Sequence, residues 1–176
     1  MKTALTIAAA LIAGAASLHA DTPIQLSLTP DIALYPKDTL VQGVSLNIWG
    51  ENPQNGLHLG LVNGSTGDSS GLSYGLANYA ESFAGVQIGW VNVTTEHFAG
   101  VQDGWVNISQ GTFKGVQYGV VNVAEAASGL QLGVVNYAKQ LKGVQIGVVN
   151  VAMNNSWFDK FPDQFARGFP IFNWSF

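Results

Sequence analysis

Between residues 43 and 151 apolar and polar positions alternate, and the alternation is itself repeated every 13 to 15 residues. The stretch "GVQIGWVNV" (85–93) is followed by "GVQDGWVNI" and "GVQYGVVNV". Aligned on the first glycine, eight copies begin at Gly43, Gly56, Gly71, Gly85, Gly100, Gly115, Gly129 and Gly143. The shared pattern is G-Φ-Q-Φ-G-Φ-V-N-Φ, with Φ apolar. Val, Ile, Trp and Tyr in a period of two predict β-strand. Two glycines per copy and the β-branched content disfavour helix. The connectors "STGDSS", "TTEH", "SQGT" and "AEAAS" are short and polar, with room for a tight turn but not for a helix. The pattern therefore predicts an all-β repeat protein.

Two architectures satisfy one strand segment per repeat. The first is a tandem-repeat β-solenoid of 14–15-residue coils, each stacked on the last. It would bring Asn63, Asn78, Asn92, Asn107, Asn122, Asn136 and Asn150 into one hydrogen-bonded ladder. Apolar parity also changes at the inner glycine: a corner at Gly89 would place Val86, Ile88, Val91 and Val93 all inside. The connectors are uniform, whereas the two rims of a barrel usually differ. The second architecture is an up-and-down outer-membrane-type β-barrel of about 10 strands. For it, Val86, Ile88 and Trp90 face lipid while Gly85, Gln87 and Gly89 face inward. The chain also ends "FPIFNWSF", an aromatic terminal strand like the assembly signal of such barrels. Asparagine register and uniform connectors favour the solenoid.

Glycines at both repeat positions are expected to be structural: Gly85, Gly89, Gly100, Gly104, Gly115, Gly119, Gly129, Gly133, Gly143 and Gly147. The residue after the inner glycine is apolar in seven copies: Leu61, Leu76, Trp90, Trp105, Val120, Val134 and Val148. In a solenoid with a corner at Gly89 this stripe points outward or sits on an edge, which makes it the candidate interaction surface. Two residues depart from the pattern. Asn47 takes the inner-glycine position of the first copy, and Asp103 puts a lone charge at a Φ position.

The first twenty residues, "MKTALTIAAALIAGAASLHA", carry Lys2, an apolar run too short to span comfortably, and small residues before Asp21. They are expected to be a secretory signal peptide, leaving one domain over 21–176 with repeats at 43–151 and a closing strand at 169–176. Only 10% of the residues are charged, the formal charge is −4, and no Lys/Arg cluster occurs, which argues against nucleic acid as a partner. There is no cysteine, so neither disulfides nor a lipidated N-terminal Cys is available.

Candidate chemistry is sparse. His58 replaces the repeat Gln and His97 follows Glu96 in a connector, a pair short of the three or four ligands a metal needs. "DKFPD" (159–163) lacks the glycine and spacing of a calcium loop. No GxSxG element occurs, and Glu81, Glu96, Asp103 and Glu125 stand at different repeat positions. No cofactor and no enzymatic activity are expected. Trp90 and Trp105 occupy equivalent positions, with Tyr118 nearby, and would offer a platform for sugar rings if exposed.

The tandem G-[VL]-Q-[IL]-G-[LVW]-V-N units resemble those of a family of bacterial surface-repeat proteins of Gram-negative organisms. The resemblance extends to the opening "PIQLSL" (Pro23–Leu28) and the closing "FPIFNWSF" (Phe169–Phe176), and so covers the whole mature chain. It implies an exported β protein of the cell envelope, at the outer membrane, cell surface or periplasm, with no catalytic residues to carry over. Three functions fit: a structural or interaction protein working through its apolar stripe, a small outer-membrane pore, and a carbohydrate-binding module. The expected partners are an envelope or surface component, the outer membrane, or a glycan.

Overall fold

The computed structural model describes residues 21–176. The expected signal peptide lies outside the described residues. The chain forms β1 (Thr22–Thr29), β2 (Ile32–Ala33), β3 (Val41–Asn52), β4 (Gln54–Tyr74), β5 (Ala77–Ala152) and β6 (Gly168–Ser175). β1, β3, β4 and β5 pair in parallel, and β5 continues through several coils that stack on one another. This is a β-solenoid. Equivalent residues lie over one another: Gly43 pairs with Gly56, Asn63 with Asn78, and Gly71 with Gly85. Parallel pairing between successive repeats overturns the barrel, whose consecutive strands would run antiparallel.

Each coil has three faces, seen in residues 85–99. Gly85–Trp90 form face I, Val91–Thr94 face II and Thr95–Ala99 face III. The chain turns at Gly85, where φ is +140°, between the exposed pair Trp90 and Val91, and through the exposed run Thr95–His97. The bend beside the inner glycine thus falls one residue after the expected corner at Gly89, and the outer glycine makes a second bend that was not expected. Left-handed φ values between +119° and +155° recur at this position in all eight copies. At Gly100 an added Cβ would lie 1.8 Å from the carbonyl oxygen of Gly85, so both conformation and space require glycine. The connectors are not separate turns: they are paired strand and form face III.

The interior is the second correction. Gln87, Asn92, Thr94 and Phe98 are buried, while Val86, Ile88, Trp90, Val91 and Val93 face outward to differing degrees. The four apolar residues expected inside are outside. Face I thus has the inside-out orientation of a barrel strand in a solenoid's connectivity. The apolar interior is a narrow column behind face III, where Phe83, Phe98 and Phe113 stack at 6.2 and 5.5 Å and Ala127 and Leu141 continue the line. The remainder is filled by amides and by a column of small side chains at the end of face II, Ala80, Thr94, Ser109, Ala124, Ala138 and Ala152.

Two ladders of amides run along the stack, one through nearly all coils and one from Gln87 to Gln145. In one, each Asn Nδ2 donates to the Asn Oδ1 of the next coil at 2.8–3.0 Å, from Asn47 through Asn150. In the other, Gln145, Gln131, Gln117 and Gln102 each donate to the Gln of the preceding coil at 2.7–3.0 Å. The donors point in opposite directions, so the ladder dipoles oppose each other. Each ladder leaves an acceptor without a donor at one end, Asn47 Oδ1 and Gln145 Oε1.

At the C-terminal end β6 pairs antiparallel with the last coil, Gln145 against Asn173. The segment 153–176 folds over that coil with an aromatic cluster of Phe158, Phe165, Phe169, Phe172 and Trp174. The terminal aromatic strand serves here as a cap on the open edge of the parallel stack.

Candidate functional site

The inner glycine and the asparagine form one local unit. Asn92 sends its second Nδ2 hydrogen to the carbonyl of Asp103 in the next coil, and Asn107 does the same to Tyr118, both at 2.9 Å. A Cβ at Gly104 would stand 2.7 Å from Asn92 Nδ2 and 2.3 Å from the carbonyl oxygen of Gly89. Gly89, Gly104, Gly119, Gly133 and Gly147 thus make room for the ladder formed by Asn78, Asn92, Asn107, Asn122, Asn136 and Asn150. The first copy reverses the pair. Asn47 takes the glycine position and Gly50 lies opposite Asn63, where asparagine is expected. A Cβ on Gly50 would lie 2.3 Å from Asn47 Cγ, so the Asn47 amide fills the same volume from the other side. It joins the ladder by donating to Asn63 Oδ1 at 3.0 Å.

The inner glycines, whose Cβ positions point inward at the ladder, form the floor of an outer groove between the two outward columns that flank them. One wall is Tyr74, Ile88, Asp103 and Tyr118. The other is the stripe of Leu61, Leu76, Trp90, Trp105, Val120 and Val134. The groove has a volume of about 800 Å³. Every stripe residue is exposed, Val148 included, with Trp90 and Trp105 at 59% and 66%. The two indoles stack on each other, centroids 5.7 Å apart and planes within 14°. One face of each ring is therefore partly taken by the other, and the flat double platform expected for sugars is reduced to an offset stack.

Charge is segregated. Between Gly56 and Ala152, Asp68, Glu81, Glu96, Lys114, Glu125, Lys139 and Lys142 all stand exposed on face III. Lys139 and Glu125 there form an ion pair at 2.6 Å. Asp103 is the eighth formal charge in that stretch and the one on face I. Face II carries Glu51 one coil further toward the N-terminus, held by Tyr79. The Tyr79 hydroxyl donates to Glu51 Oε2 at 2.7 Å and accepts from Trp49 Nε1. Burial first, and then the Glu51 carboxylate, push the Tyr79 pKa up to about 12.

Among the described residues, the two histidines sit in different environments. His97 is exposed and bonds Thr112 Oγ1 through Nδ1 at 2.8 Å. His58 is fully buried in the glutamine column, with Nδ1 3.2 Å from Ser65 Oγ, its ring edge-on to Phe83, and Nε2 without a partner. Burial lowers its pKa to about 4. Among the described residues no three His, Asp or Glu side chains come together as a metal site. The residues that sequence reasoning missed are the outward Val, Leu and Ile columns of faces I and II. Their strict alternation with Gln and Asn was the available signal. No family model, curated protein or solved structure matches the chain.

Proposed function

We propose that this is an exported, non-enzymatic repeat protein of the Gram-negative cell envelope, of the surface-repeat kind its motif resembles, and that it works by lying on a lipid surface. The observation that carries this is the inside-out section: amides within, apolar columns on faces I and II, charge on face III. Eight copies at about 4.8 Å per strand give a length of roughly 35–40 Å. Faces about five and four residues wide then present, at about 3.3 Å per residue, roughly 1,000 Å² of largely apolar surface. That exceeds the roughly 300–600 Å² patch of an ordinary monomer. The two faces meet at the convex edge of Trp90 and Val91. A flat protein partner covers one such face at a time, whereas a fluid interface covers both. Exposed Trp and Tyr suit the headgroup level, and face III remains in water.

Vesicle flotation tests this reading. The mature chain is expected to float with phosphatidylethanolamine/phosphatidylglycerol vesicles, and its tryptophan emission to shift to the blue. Replacing Trp90 and Val134 by Asp should abolish both. A wild type that stays at the bottom of the gradient and migrates as a dimer would reassign the faces to a second copy. In the native host, carbonate and urea should release the protein from outer membranes without a boiling-dependent mobility shift.

A second reading, a glycan module, is favoured by the exposed Trp90–Trp105 stack. Saturable quenching by glycans that is lost in Trp90→Ala would support it. Equal silence from both proteins would end it.

A further inference from the structure

We infer that the face I groove at Asp103 is a binding site for an alkylammonium group. Asp103 is half-buried in a groove otherwise walled by apolar and aromatic side chains and floored by glycine. Its main-chain carbonyl is taken by Asn92, and the chain supplies no cation to its carboxylate: among the described residues the single salt bridge is Lys139–Glu125 on face III. A lone carboxylate in apolar surroundings is costly unless a counter-charge is brought to it.

The neighbours specify which kind of cation. Tyr118 follows Asp103 in its column, about 4.8 Å along the stack, and Trp105 lies across Gly104, about 6.6 Å along the strand. Trp90 stacks on Trp105 and extends that wall, and Ile88 closes the remaining side of the column. A cation resting over Gly104 meets one carboxylate and aromatic groups on two sides. A bare metal ion would need several oxygen ligands, and there is one carboxylate. An organic ammonium matches instead, its charge toward Asp103 and its methyl or methylene groups against the indole and phenol rings. The groove continues along the stripe beyond Trp105 to Val120 and Val134, giving an attached alkyl or acyl chain an apolar track. The site does not depend on the lipid reading, since a soluble amine and an ethanolamine or choline headgroup present the same group.

The test is titration of the folded mature chain with tetramethylammonium chloride and with ethanolamine, followed by tryptophan fluorescence at constant ionic strength. The wild type should show saturable quenching. Asp103→Asn should weaken it about tenfold or more, and Asp103→Glu should restore part of it. Asp103→Leu, which returns the column to its apolar pattern, should fold with an unchanged circular dichroism spectrum and show no saturation. Quenching that is equal in wild type and Asp103→Asn, or equalled by sodium chloride, overturns the inference. So does saturation by neutral sugars alone, which would pass the groove to the glycan reading. Vesicles with and without phosphatidylethanolamine separate the sources. A preference that disappears in Asp103→Asn assigns the site to a lipid headgroup, and saturation by the soluble amines with no vesicle preference assigns it to a free amine. Failure to float on any vesicle would remove the lipid reading and leave the amine titration to decide the site.

Discussion

At the scale of single residues the molecule depends on amides placed where most proteins place aliphatic groups. Asn107 is fully buried, donates to Tyr118 and Asn122, and accepts from Asn92. Asn107→Ala leaves Asn122 Oδ1 and the Tyr118 carbonyl short of a donor and opens a cavity. We expect a loss of about 2–5 kcal/mol in urea unfolding. His58 provides a pH-dependent counterpart. Unfolded, it titrates near 6.5, and folded, near 4. As pH falls through that window the unfolded chain takes up a proton that the native one does not. The His58 contribution is thus fully favourable above about pH 6.5, declines as pH drops, and levels off below about 4. The difference approaches about 3 kcal/mol. His58→Gln, which restores the repeat residue, should remove it: the stability gap between variant and wild type should widen from pH 7 to pH 4. A constant gap would count against the burial argument.

At the scale of the coil, stability is shared between nearest neighbours, so a whole coil is a removable unit. Deleting 115–128 joins Gly129 to Lys114. Gln131 can then donate to Gln102, Asn107 to Asn136, and Phe113 stacks above Leu141. The shortened chain should keep its β circular dichroism and lose only some thermal stability. Truncation after Ala152 should behave differently. It removes β6 and leaves the parallel edge of the last coil unpaired, and we expect concentration-dependent aggregation by light scattering. An unfolded deletion variant and a monodisperse truncation would together contradict this picture. The coil was legible in the sequence as far as its boundaries and its ladder. The asparagines share one spacing, so stacking them was forced once the strands were parallel. The swap of Asn47 and Gly50 was not legible, because it depends on two side chains reaching one volume from different backbone positions.

For the whole molecule the consequence is a surface whose apolar part does little for folding. Val134 and Val148 are exposed on face I, so replacing both by Lys should change stability by no more than about 0.5 kcal/mol per site. The same change should raise solubility and weaken vesicle binding, which circular dichroism and flotation measure separately. A large destabilisation would mean that the outward columns support the fold itself.

The all-β class and the 14–15-residue repeat were readable in the chain alone, whereas stacking of the asparagines into a ladder followed once successive strands proved parallel. The first two follow from short-range pattern: a period of two for strand, and eight in-phase copies for the repeat. Alternation says that two sets of residues point to opposite sides, but not which side is the interior. A hydrophobic-inside assumption sent Val86, Ile88, Val91 and Val93 inward and required a corner at Gly89. Tertiary structure kept a corner there, between Trp90 and Val91, but turned the apolar residues outward, and it added a bend at Gly85, where φ is positive and a Cβ would strike the coil beneath. With the turn between Trp90 and Val91, Gln87 and Asn92 both face the axis, where amides bond from coil to coil. In the repeat pattern Asp103 is an exception at a Φ position. Only the stacked fold set it in a groove beside Tyr118 and Trp105, because those neighbours come from the next coil and from across a glycine.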